Sequence, residues 1–236
     1  MTKRFVLALL SLVISCPFCA AQTKVVDIVD NSTLKCAVRM SGRVELTESE
    51  VQGQNRTSFA SHVSATNLSK YSIISMVTHT SIGNSLGPLV DANHQLDAFF
   101  AHDLEIAPGQ TYTHEHNDNG EFITPVRKGA VKVAPAASSQ VIFVQFADGS
   151  TCGDANDGRV ASLMDTRADL LLALKGIDDA AKLGESEFLN ALADKKTDRT
   201  GNAEGILNNI RDMQKQKGSP AAIEYIRSML DVAASR

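Results

Sequence analysis

Residues 140–163, QVIFVQFADGSTCGDANDGRVASL, contain the boundary that decides the fold. The stretch 140–147 is rich in β-branched and aromatic side chains and reads as a strand. Asp148-Gly149 is a turn dipeptide, and after Cys152 the run Gly153-Asp154-Ala155-Asn156-Asp157-Gly158 is polar and turn-forming. Apolar residues then return at a different interval. Val160, Leu163, Leu170, Leu171, Leu174, Ile177, Ala181 and Leu183 make one helical stripe, interrupted at Arg167. Strand-forming sequence therefore ends near Cys152, and helical sequence begins near Val160.

Working outward toward the N-terminus, short runs rich in Val, Ile, Thr and Phe recur between turn signals. They predict strands at 36–46, 58–66, 72–80, 95–102, 110–116, 122–133 and 140–147. Within 58–66, Phe59, Val63 and Ala65 share one face, while His62, Ser64 and Thr66 share the other. Pro108-Gly109 marks a turn between runs. Seven short strands in about 115 residues have the size and rhythm of an antiparallel, immunoglobulin-like β-sandwich, here spanning 34–152.

Toward the C-terminus, a linker at 153–159 leads into a helical region at 160–236. Further helices are expected at 185–194, 202–216 and 220–234. Gly184 and Gly218 stand just past helix ends, and Ser219-Pro220 has the form of an N-cap followed by Pro at the first helical position. The expected class is α+β, a sandwich followed by a small C-terminal helical bundle. That bundle is self-contained or buries its stripe against the sandwich or a partner, with the self-contained or docked arrangement preferred.

The N-terminus carries an address. Lys3 and Arg4 precede the uncharged run 5–14, and Ala20-Ala21 follows, which is the order of a signal peptide at residues 1–21. The apolar run is too short to span a bilayer. Cleavage after Ala21 is preferred. The alternative is a lipobox at Val13-Ile14-Ser15-Cys16, with Cys16 acylated and the chain lipid-anchored. Residues 22–33 then read as an N-terminal linker. Cleavage after Ala21 removes Cys16 and Cys19, and the remaining Cys36 and Cys152 are expected to form one disulfide in an oxidising compartment.

A net charge of −4 offers no concentrated basic face for nucleic acid. The absence of Trp removes the usual stacking platform for carbohydrate. There is no G-x-S-x-G elbow, Walker A loop, H-E-x-x-H or G-x-G-x-x-G. Asn31, Asn55 and Asn67 each begin an N-x-S/T sequon.

Ala65-Thr66-Asn67-Leu68-Ser69, then 104–111 with its Ala107-Pro108-Gly109 turn, then 141–151 ending in Asp148-Gly149-Ser150-Thr151, resemble uncharacterised exported bacterial proteins with an immunoglobulin-like sandwich. Cys152 stands where that family has Trp. The resemblance implies a fold and carries no catalytic residues.

The sharpest chemical candidate is His114-Glu115-His116 with Glu121. In a strand, residues 114 and 116 share a face, so two imidazoles could hold one divalent metal. Gly109-x4-His114-x-His116-x4-Glu121-x7-Gly129 is similar to the first cupin motif, but no His follows His116 to complete a second motif. His94 and His102, which precede the motif, could supply a third ligand. The competing structural reading is a solvated hairpin tip over 113–120, turned at Asn119-Gly120. The functional expectation is an exported, non-enzymatic protein acting by surface contact with a macromolecule, in the first instance a protein. The alternative is a cupin-like metal binder using His114, His116 and Glu121. A third reading makes the helical half the functional module.

Overall fold

The computed structural model describes residues 22–33, 35–51, 54–84, 87–125, 135–194 and 201–236; residues 1–21, the expected signal peptide with Cys16, lie outside them. Eight strands come first: β1 Gln22–Asp30, β2 Val38–Val51, β3 Gln54–Asn67, β4 Ile73–Asn84, β5 Gly87–Asp97, β6 Thr111–Pro125, β7 Ala136–Phe146 and β8 Thr151–Gly153. Among the described residues four helices follow: α1 Gly158–Leu183, α2 Glu185–Ala193, α3 Gly201–Lys217 and α4 Ser219–Ala234. The mixed α+β class and the change of texture after Cys152 are as expected.

The architecture of the sheet is not. In place of an antiparallel immunoglobulin-like sandwich, the strands form one mixed sheet in the order β5-β4-β7-β1-β2-β3-β6, with β8 added to β7. This sheet curls into a half-barrel. The cause is β1, in the segment expected to be a linker. Its residues 22–27 pair antiparallel with β2, and Ile28, Val29 and Asp30 then pair parallel with β7. One strand thus bridges two antiparallel blocks that would otherwise be separate. At the crossing, Gly42 of β2 has φ +145°, and a Cβ there would lie 2.0 Å from the His62 carbonyl oxygen of β3. Only glycine permits that approach.

The alternation read in β3 holds: Phe59, Val63 and Ala65 are buried on the concave face, and His62, Ser64 and Thr66 lie outward. They join Ile28, Met40, Val44, Leu46, Ile73, Met76, Val141 and Val144 in one core. β4 and β7 also bury their convex face, because Val77, Ile142 and Phe143 pack on Val160 and Leu163 of α1. Hence 73–78 and 141–144 are buried at every position, without alternation.

The hairpin expected at 113–120 is also corrected. β6 continues through Asn119-Gly120 because its backbone pairs with β3 from Thr111 to Pro125. A bulge absorbs the turn-forming residues: Thr57 and Phe59 are paired with Phe122 and Asp118. The run expected at 122–133 is described only to Pro125.

Two covalent or polar clasps close the loops. Cys36 and Cys152 form the expected disulfide, with Cα atoms 5.6 Å apart. Asn67, fully buried, donates its amide to the carbonyls of Tyr71 and Ile106 and accepts from the Ser69 backbone and hydroxyl. That amide is the nitrogen a glycan would need, so the sequon at Asn67 is a loop clasp.

The helical bundle is docked on the sheet. Asp157 caps α1 by accepting from the Arg159 backbone N–H at 2.9 Å, and paired hydrogen bonds from the Arg159 side chain hold its carboxyl at a pKa of about 2. The first turns of α1 cover the sheet, and Leu170, Leu174 and Ile177 then enter the bundle core. Between them sits Arg167, the interruption in the sequence stripe. Its guanidinium, only 8% exposed, is 2.8 Å from Asp97 Oδ1 and donates to Gln145 Oε1 at 2.9 Å and to the Ser75 hydroxyl. It also lies 4.1 Å from the ring centre of Phe99. Phe100 inserts into the bundle core from the loop after β5. Ser219, expected as a cap, is the first residue of α4, and its hydroxyl donates to Glu185 at 2.8 Å.

Candidate functional site

The half-barrel brings its two ends together. β5 and β6 are the terminal strands of the sheet path, yet the rings of His94 and His114 lie 4.3 Å apart, centre to centre, tilted by 48°. The register explains why both face inward. His94 pairs with Thr78 and His114 with Val63, and both partners are 4% exposed on the concave face. Opposed residues share a face of the pleat.

Behind this seam is a cavity of about 250 Å³. Its wall combines Met40 and Met76, each 4% exposed, with Val63, Thr78, Tyr112 and the two imidazoles. The lining is apolar and thioether-rich, with polar groups concentrated where the edges meet. That is the composition of a ligand pocket with a few orienting groups. Neither imidazole is without a partner in the fold.

The sequence-predicted residues distribute unevenly. His114 lies in the cavity wall, and the structure brings it to His94, which sequence reasoning named only as a remote source of a ligand. His102 goes elsewhere, with its Nδ1 2.6 Å from Glu105 Oε1. Arg236 approaches the same carboxylate at 2.5 Å. Burial pushes the Glu105 carboxyl up, but the hydrogen bonds from His102 and Arg236 prevail and hold it below its ordinary range. His116 is placed opposite Ser61 by strand register, and Glu121 falls in the bulge of β6; the side chains of both lie outside the described residues. Among the described residues, no three His, Cys, Asp or Glu side chains gather as a metal site. His62 and His79 lie on the outer face, paired with Glu115 at 3.3 Å and Asp91 at 2.8 Å.

A second cavity of about 300 Å³ lies between sheet and bundle, lined by Phe100, Leu104, Leu163, Leu170, Tyr225 and the Arg167–Asp97 pair. Its charged groups are already engaged with one another. No helix among the described residues is long and apolar enough to cross a membrane. Compared with protein-family models, curated proteins and solved structures, the chain matches none of them.

Proposed function

We propose that this chain is an exported, non-enzymatic binding protein of the cell envelope or exterior, which engages its partner at the seam between β5 and β6. The observation that supports this reading is the meeting of His94 and His114 over an apolar, thioether-lined cavity. A cavity opening between two sheet edges offers a ligand side-chain donors and strand backbone together. The leader at 1–21 and the Cys36–Cys152 disulfide support export. The helical bundle, fastened to the convex face through Arg167, serves as a brace that leaves the seam open.

A second reading, metal binding at the seam, is favoured by one observation, the approach of His94 to His114; it differs from the cupin-like expectation, which used His114, His116 and Glu121.

Site-specific photo-cross-linking in cells tests the location of binding. The full chain, with its leader, carries a photoreactive residue at Asn93 or Glu115 beside the seam, or at Leu189 on the exposed surface of α2. Discrete adducts are expected from Asn93 and Glu115 and not from Leu189. Adducts from Leu189 alone would reverse the assignment and make the bundle the functional module.

A further inference from the structure

Resting on the seam as the binding site, we infer that the ligand held there is a soft monovalent cation, Cu(I), bound by His94 and His114 together with the thioethers of Met40 and Met76.

The cavity wall holds two imidazoles and two thioethers, and no thiolate or carboxylate lines it among the described residues. Thioether and imidazole suit Cu(I); zinc sites draw on thiolate, carboxylate and imidazole, and magnesium and calcium require oxygen ligands. These four donors are neutral and bring no anionic charge of their own to the cation, which favours a monovalent ion over a divalent one in a low-dielectric setting.

Geometry points the same way. A metal bonded to a ring nitrogen at roughly 2 Å sits about 3 Å from the ring centre, so two rings sharing one ion at a tetrahedral angle have centres about 5 Å apart. The rings lie 4.3 Å apart, within about 1 Å of that spacing. The strand register then sets the thioethers around them. Met76 is two residues along β4 from Thr78, the partner of His94, and so lies on the same concave face. Met40 reaches the same space from the opposite side, through the lateral series Met40, Ala65, Tyr112 across β2, β3 and β6. Met40 and Met76 are almost fully buried, so their sulfurs are shielded from water and from oxidation. The inference does not require His116 or Glu121.

Binding involves no redox step. Cu(I) enters as Cu(I), neutral imidazoles supply lone pairs, and a proton is released only from whatever imidazolium fraction is present.

The test is anaerobic titration of the mature, disulfide-intact protein with Cu(I) against a chromophoric Cu(I) chelator. One Cu(I) per chain is expected, with X-ray absorption showing both nitrogen and sulfur ligands. His94→Ala and His114→Ala are each expected to lower affinity at least about a hundredfold, since loss of even an outer-shell partner costs 10- to 100-fold. Met76→Leu, which conserves volume, should lower affinity about tenfold and deplete the sulfur signal while the fold, read by circular dichroism, is unchanged. His79→Ala, on the outer face, should bind as the parent does. Failure to retain Cu(I) against the chelator, or full retention by the His94→Ala/His114→Ala double variant, overturns the assignment. So does preferential loading with Zn(II). If seam cross-links persist while Cu(I) is not retained, only the metal assignment falls; if Cu(I) is retained and seam cross-links are absent, the metal site stands and the macromolecular contact at the seam falls.

Discussion

Replacing Arg167 with Met is expected to destabilise the protein by about 3 kcal/mol and to separate the unfolding of bundle and sheet. Breaking one side of a buried ion pair leaves the other charge uncompensated, which costs about 3–5 kcal/mol. The lower end applies here, because Asp97 is 23% exposed and keeps hydrogen bonds from the Ser75 hydroxyl and the Phe99 backbone. The loss exceeds that of a surface ion pair because one guanidinium serves Asp97, Gln145, Ser75 and the Phe99 ring at once. For the same reason Arg167→Lys should recover little: an ammonium has no planar fork to span those acceptors. Urea titrations followed by far-ultraviolet circular dichroism for the helices and by Tyr112 in the sheet should coincide in the parent and diverge in the variant. A change under about 0.5 kcal/mol, the range of an ordinary surface substitution, would show that Arg167 does not couple the two parts.

The second large effect concerns the disulfide. Cys36 and Cys152 are 116 residues apart in sequence, and closing a loop of that size removes about 5 kcal/mol of chain entropy from the unfolded state on the simplest model. Both residues also pack against the half-barrel core. Cys36→Ser/Cys152→Ser is therefore expected to lose up to about 5 kcal/mol, with the double variant preferable because it leaves no stray thiol. Thiol titration of the denatured, unreduced mature protein checks the bond directly and reports on processing. Cleavage after Ala21 leaves no free thiol. Acylation at Cys16 retains Cys19, which then titrates as one. Two free thiols in a chain of mass matching cleavage after Ala21 would contradict the disulfide.

Much of the local structure was legible in the sequence. β3 showed its faces because Phe59, Val63 and Ala65 alternate with polar residues. α1 showed its length because its stripe is long and Gly184 marks its end. β1 was not legible. Val25 and Val29 are more than half exposed and, among the described side chains of β1, only Ile28 is buried, so the strand lacks a clear apolar face. What fixes β1 is backbone pairing with two partners, and its parallel pairing with β7 joins segments more than a hundred residues apart. The sandwich was expected because strand count and spacing do not encode that join. Asn119-Gly120 misled for a related reason, since pairing with β3 over the whole of β6 outweighs a local turn preference.

The site was half legible. His114 stood out by its spacing to His116, whereas His94 carried no local signal. Its approach to His114 depends on the curl of a sheet that separates the two strands by five others in lateral order. Met40 and Met76 looked like ordinary core residues, and only their place in the cavity wall distinguishes them. Arg167 was visible as a gap in a helical stripe. That a charged residue in such a gap is buried against Asp97 follows only from the docking of α1 on the sheet.

The central claim is that the half-barrel brings its edges together at His94 and His114 to form the binding seam. Nuclear Overhauser spectroscopy of the mature, metal-free protein, with imidazole protons assigned through single His→Asn variants, tests this most directly. With ring centres 4.3 Å apart, cross-peaks between the ring protons of His94 and His114 are expected, and either variant should abolish them. Well-resolved imidazole signals with no such cross-peak would mean that β5 and β6 do not meet, and the cavity with its proposed ligand would go with them.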